Sequence, residues 1–225
     1  MSKKKVMLLT AMVAMLIFSV ATSAFAASAY FDYTLGGKDK ENYPFDPADP
    51  TAPTSYKADL DNYLLGVEIP INQFKVTAEY SKDKAKIDGA SLKSNYYLLK
   101  GGYRLLQSDV FQLYGDLSYI SMKWDTDDNE KYSPIMIGVD GKYSIAGNMF
   151  VSGNLDYAVS GKAKADGSPD TDTDYMAAKV KYTYLFTEKF GAAVGYDWSN
   201  RKIKATEGDY KYTDTGFTLG VTYNF

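Results

Sequence analysis

Acidic and basic side chains recur along this chain at matched positions, and they are the residues whose types and spacing could do chemistry. Asp32, Glu79, Lys100, Asp116, Lys142, Asp156, Lys181 and Asp197 each fall in a separate alternating segment, and from Glu79 to Asp197 the sign alternates. Glu68, Lys75 and Arg104 form a second group on three consecutive segments. Neighbouring extended strands lie about 4.8 Å apart, close enough for long side chains of opposite sign to pair across a ladder. Buried charges are costly unless paired, so this order suits a narrow, poorly hydrated interior. In a wetter interior the same charges would tune which ions pass.

Other chemistry is largely closed to the chain. It has no histidine and no cysteine, so no Ser-His-Asp triad, imidazole base, thiolate nucleophile, disulfide or His/Cys metal site can be built. Carboxylates alone could act as acid and base, and Asp125, Asp127, Asp128 and Glu130 are the candidates. That acidic stretch lacks the turn glycine and distant glutamate of a calcium loop, and with the stretch at 166–174 it reads as a solvated loop. A non-enzymatic protein is expected, with no catalytic residue, no cofactor and no metal site.

The elements that position these charges are strands. Twenty-one tyrosines suit half-buried strands, and from Ser28 onward apolar and polar residues alternate in segments of about ten. Phe217, Leu219, Val221, Tyr223 and Phe225 fall on one face of the last segment, with Thr218, Gly220, Thr222 and Asn224 on the other. The same pattern runs back to a first apolar face at Phe31, Tyr33 and Leu35. The count is about ten strands, with eight as the alternative, in one all-β domain over residues 27–225.

Ahead of that domain stand Lys3, Lys4 and Lys5, an apolar run over 6–20 and small residues ending at Ala24 and Ala26, the layout of a signal peptide over residues 1–26. Cleavage after Ala26 removes three lysines and no acid, taking the net charge from -3 to -6. An acidic chain of this kind is a poor nucleic-acid binder, so no nucleic-acid partner is expected. After the N-terminus no run reaches the roughly 20 apolar residues of a membrane helix.

Connections alternate in length. Short turns are expected at 70–73, 106–109, 146–148 and 187–189, and longer polar links at 36–56, 82–90, 124–131, 163–172 and 205–209. Alternation alone does not say whether the apolar face meets lipid or a core. Loop asymmetry, glycines on the polar face and aromatics near strand ends favour lipid outside, with girdles at Tyr184, Phe186, Phe190, Tyr143 and Phe111 and at Tyr63, Tyr80, Tyr119, Tyr157 and Trp198. The fold expected is a closed antiparallel transmembrane β-barrel with the charged face inside. Lys100 is expected between Glu79 and Asp116.

The ending at Phe217, Leu219, Val221, Tyr223 and Phe225 resembles the C-terminal signature of outer-membrane β-barrel proteins, a superfamily that includes small eight-stranded and ten-stranded porin-like barrels. The resemblance implies export to the bacterial outer membrane, recognition by the barrel-assembly machinery, and contact with outer-membrane lipid and lipopolysaccharide. Lys82, Lys84 and Lys86 could touch lipopolysaccharide phosphates. Barrel enzymes of this size rely on histidine, which is missing here. The function expected is structural or that of a narrow, weakly selective pore. The alternative is a surface adhesin or receptor binding partners through its outer loops.

Overall fold

The computed structural model describes residues 27–44, 54–87, 90–125, 130–165, 170–205 and 208–225. Residues 1–26, expected as a signal peptide, and Pro47, Pro50, Pro53, Asp127 and Asp128 lie outside the described residues. The described strands are β1 (Ser28–Asn42), β2 (Ser55–Ile71), β3 (Phe74–Ile87), β4 (Ala90–Gln107), β5 (Phe111–Trp124) and β6 (Lys131–Tyr132). They continue with β7 (Ile135–Ala146), β8 (Met149–Ser160), β9 (Lys162–Lys164), β10 (Thr171–Leu185), β11 (Phe190–Ala205) and β12 (Gly208–Asn224).

Ten long strands form one antiparallel ring. Each pairs with two neighbours, β5 passing to β7 and β8 to β10, and β12 closes the ring on β1. The two remaining strands are short: β6 pairs with β5 and β9, and β9 pairs with β10. They carry the wall past the place where β7 and β8 stop. The break has a local cause at Pro134, which has no N–H to donate and is fully buried, while its carbonyl still accepts from the Ile120 N–H at 3.1 Å. Ten spanning strands replace the eight-stranded alternative.

Period-two alternation decides which side chains face out. Leu65, Leu99, Leu117, Val180, Val194, Phe217 and Val221 are exposed on the outer wall, whereas Asp32, Lys75, Lys100, Asp116 and Asp156 are buried inside. Exposed apolar side chains in a continuous band are the opposite of a soluble fold's arrangement. Aromatic pairs collect at the turn end, where the ring centroids of Phe190 and Tyr223 are 4.8 Å apart and those of Phe74 and Tyr103 5.3 Å. A second band higher on the wall includes Tyr80 against Tyr97 at 5.1 Å. These bands bracket the membrane-facing zone.

At one end every connection between the long strands is short. Asn72 takes a left-handed φ of 57° between β2 and β3, and Thr187 Oγ1 accepts from the Phe190 N–H at 2.9 Å between β10 and β11. At the other end the strands run much further than expected. The segments 36–56, 82–90 and 205–209 were expected as loops, but β1 reaches Asn42, β3 reaches Ile87 and β11 reaches Ala205. Cross-strand ion pairs stitch this extension: Lys38 with Asp59, Lys86 with Asp61 at 2.7 Å, Lys202 with Asp209 at 2.6 Å and Lys204 with Asp174 at 2.8 Å. Alternating lysine and aspartate satisfies a strand in water, and an apolarity-based boundary therefore misses it.

Candidate functional site

The interior of the ring holds the ionic groups. Its central layer is built around Lys100 on β4, whose Nζ lies 2.9 Å from both carboxylate oxygens of Asp156 on β8 and 3.7 Å from Asp116 on β5. The expected contact of Lys100 with Asp116 is present, whereas Glu79, expected on its other side, gives way to Asp156. Strand stagger puts Thr77 and Ser118 opposite Lys100, while Glu79 faces Leu98. The ring is narrow enough for a lysine to reach a strand that is not its neighbour.

Other members of the layer find their own partners. Lys181 on β10 pairs with Asp32 on β1 and lies 4.7 Å from the centre of the Tyr30 ring. Glu79 accepts from the Tyr30 hydroxyl at 2.6 Å. Asp197 stands opposite Lys179 in register, with 3.7 Å between charged atoms. Small residues make room for these groups. A Cβ on Gly138 would fall inside contact distance of Asp156 Oδ1 and 2.7 Å from the Leu155 carbonyl oxygen, so glycine is required there.

Nearer the turns, Lys75 is buried between Glu68 at 3.1 Å and Asp140 at 2.9 Å, with the Tyr114 ring beneath its ammonium at 4.6 Å. Arg104, expected in this group, forms no salt bridge among the described residues; its backbone N–H donates to the Gln73 carbonyl at 2.8 Å. Lys142 sits 3.8 Å from the centre of the Phe150 ring rather than against a carboxylate.

Towards the loop end the interior divides. One side is apolar, with Leu98, Ile120, Met122, Tyr132, Met136, Ala158 and Tyr175 packed together. The other side carries Asp39 and Glu41 on β1, Asp83 on β3 and Asp214 on β12, with Arg201 on β11 between the two. The Arg201 guanidinium lies over the rings of Trp124 at 4.2 Å and Tyr212 at 4.4 Å. These residues stand above the membrane-facing zone, because the outward side of β1 turns from Leu35 to the exposed Lys38 and Lys40. Burial, the Asp214 carboxylate and Glu41 together push Asp39 up to about 8, with Arg201 pulling the other way.

Sequence reasoning missed Asp39, Glu41 and Arg201. The bulge at Gly36 and Gly37, where Gly36 takes a φ of 59°, inserts an extra residue in β1. Before the bulge odd-numbered residues face outward, and after it Asp39 and Glu41 face inward. The glycine pair was the available signal.

Most of these groups, though not Asp116 or Arg104, line one cavity of about 480 Å³ that reaches from Ser28, Glu68 and Asn224 at the turn end to Tyr43, Glu130 and Arg201 at the loop end. Its wall carries eleven carboxylates (Asp32, Asp39, Glu41, Glu68, Glu79, Asp83, Glu130, Asp140, Asp156, Asp197 and Asp214) against six cations (Lys75, Lys100, Lys142, Lys179, Lys181 and Arg201). The alternation of signs read from the sequence therefore gives way to an acidic excess on the cavity wall.

A closed antiparallel ring, apolar outside between aromatic bands and ionic within, defines the class of transmembrane β-barrels. Residues 115–225 match the family model of the outer membrane protein beta-barrel domain, and the fold of the described residues is that of an outer-membrane β-barrel. Among solved structures, the chain is similar to the outer membrane protease OmpT from Escherichia coli, at 13% identity over 91% of this chain and 98% of that one, with a TM-score of 0.59. Lower similarity is found to an outer membrane channel from Pseudomonas putida F1, at 11% identity over 89% and 96% of the two chains and a TM-score of 0.49. Neisserial surface protein A follows at 14% identity over 90% and 98%, with a TM-score of 0.40. At such identity the likeness to OmpT is one of fold alone. No curated protein matches the chain in sequence.

Proposed function

We propose that the protein is a non-enzymatic outer-membrane barrel forming a narrow pore with a preference for small cations. The observation that carries this reading is the acidic excess along one cavity running from the turn end to the loop end. A low-dielectric wall focuses such charge, raising the local concentration of counter-ions and lowering that of anions. The paired central layer of Lys100, Asp156 and Asp116 keeps the passage narrow, so a small conductance is expected. Absence of histidine from the chain removes the imidazole base and ligand that most carboxylate-assisted hydrolysis would recruit. Localisation follows the superfamily, with the leader directing export before insertion.

The test is bilayer conductance of the purified barrel under a potassium chloride gradient. A small conductance with a reversal potential on the cation-selective side is expected, and Glu79→Gln with Asp197→Asn should move that potential towards zero. Failure to conduct would leave a purely structural barrel. An anion-selective reversal potential would overturn the proposal outright.

A further inference from the structure

We propose that the loop-end vestibule of this barrel is a binding site for an organic cation, an alkylammonium or guanidinium group taken from outside the cell. The inference goes beyond conduction, because it needs the vestibule to be occupied and does not need the central layer to pass an ion.

Four carboxylates line the vestibule, from Asp39, Glu41, Asp83 and Asp214, and three of them have hydrogen-bond donors of their own. Asp83 accepts from Ser81 at 2.8 Å, from Ser94 at 2.9 Å and from Asn62; Asp214 accepts from Ser199 at 3.2 Å; Glu41 accepts from the Tyr43 hydroxyl. Asp39 differs. Its side chain is 8% exposed, lines the cavity, and its Oδ1 is buried without a hydrogen-bond partner. A buried carboxylate oxygen left in that state is costly, and an incoming donor would relieve the cost.

Arg201 does not supply that donor. Its guanidinium is held over Trp124 and Tyr212 and forms no salt bridge among the described residues, and its Nε is itself buried without a partner. One cation tied to aromatic faces therefore leaves the carboxylates with charge to spare. The walls already accept a guanidinium against rings, which is how an organic cation with an apolar body is recognised. Tyr43 extends that aromatic surface, packing edge-on against Tyr56 at 5.4 Å and Tyr210 at 5.7 Å.

The geometry argues against a bare metal ion as the occupant. Among the described residues no group of three or more carboxylates converges as a metal site would require. Charges spread around a cavity with ring walls suit a larger, softer cation.

The experiment titrates the full chain, purified from membranes in detergent micelles, with agmatine and with spermidine, reading tryptophan fluorescence at about 150 mM salt to screen nonspecific attraction. Magnesium chloride and neutral 1,4-butanediol are the comparison probes. Saturable quenching by the two amines is expected, with neither comparison probe reproducing it. Asp39→Asn should weaken binding about tenfold, the scale of one charge-assisted hydrogen bond. Affinity should also be higher near pH 9 than near pH 6, because a proton on Asp39, facing Glu41, Tyr212, Asp214 and Arg201, must leave when the cation enters. If Asp39→Asn lowers the yield of folded barrel, Glu41→Gln carries the same comparison. The proposal is overturned if quenching is not saturable, if magnesium displaces the amines at equal charge concentration, or if both variants bind as tightly as the parent. Because no current is measured, a negative result here leaves the pore proposal standing, and an absent conductance leaves this one standing.

Discussion

Lys100 and Asp156 meet across the barrel interior, the lysine Nζ 2.9 Å from each carboxylate oxygen of a residue 56 positions further along the chain. The pair joins β4 to β8 over the two strands between them, so it ties non-adjacent strands of the wall together rather than adjacent rungs of one ladder. Asp116 completes the group from β5.

Replacing Lys100 with methionine keeps the length of the side chain and leaves Asp116 and Asp156 without their shared cation. In a dry interior this costs about 3 to 5 kcal/mol, seen as a lower urea midpoint for unfolding from micelles. Changing Asp116 and Asp156 to asparagine as well should recover much of the loss, because no uncompensated charge remains. A single variant as stable as the parent would mean that the layer is hydrated, where such pairs are worth about 0 to 1 kcal/mol.

Gly138→Ala tests the same layer through the backbone. The added methyl would press on Asp156 Oδ1 and on the Leu155 carbonyl, and the carbonyl belongs to a ladder that cannot easily move. A loss of about 1 to 3 kcal/mol is expected. Gly101→Ala on β4 is the matched control, since a Cβ there meets nothing within 4 Å. It should change stability by less than about 0.5 kcal/mol. Equal effects of the two substitutions would contradict the inward position of Gly138.

The Asp39 carboxyl gives the barrel a pH dependence of known sign. Its folded-state value is raised to about 8, by burial first and then by Asp214 and Glu41. An unfolded aspartate ionises near ~3.9, so between those values the folded state holds a proton that the unfolded state has released. The associated stability is present below about pH 4 and is lost as the pH rises through about 8. Asp39→Asn should therefore flatten the fall in urea midpoint between about pH 5 and pH 9. Parallel curves for parent and variant would place this carboxyl in bulk water.

Phe225 bears on assembly. Its backbone N–H donates to the Ala27 carbonyl at 2.9 Å and its ring lies 5.0 Å from that of Tyr223, so it contributes one hydrogen bond and one ring contact to the finished seam. Deleting it should slow insertion by the barrel-assembly machinery in a reconstituted assay, while the urea midpoint of barrels that do insert falls by little. The opposite pattern, normal insertion with a large drop in midpoint, would make Phe225 a structural residue only.

The strand faces were legible in the sequence because alternation is a local property. Leu99 outside and Lys100 inside differ only in parity along β4, and one strand suffices to read it. The cross-barrel partners were not legible. Whether Lys100 meets Glu79 or Asp156 depends on strand stagger and on the width of the ring, which no single segment encodes. Strand ends above the membrane were hidden for a different reason: Lys38 and Lys86 read as loop by polarity, yet they pair across the ladder with Asp59 and Asp61. The inner apolar cluster of Ile120, Met122 and Met136 was overlooked because the inward face was expected to be polar along its full height.

The ladder between β1 and β12 runs from Ser28 opposite Asn224 to Asn42 opposite Lys211. A ring closed in this way has no terminal strand to spare, since removing one strand would reverse the direction of every later one and set two parallel edges against each other. Removing a hairpin keeps the alternation and lets the ring close again with a smaller girth. The heritable unit of such a protein is therefore the two-stranded hairpin, and its lineage can change size only by even steps.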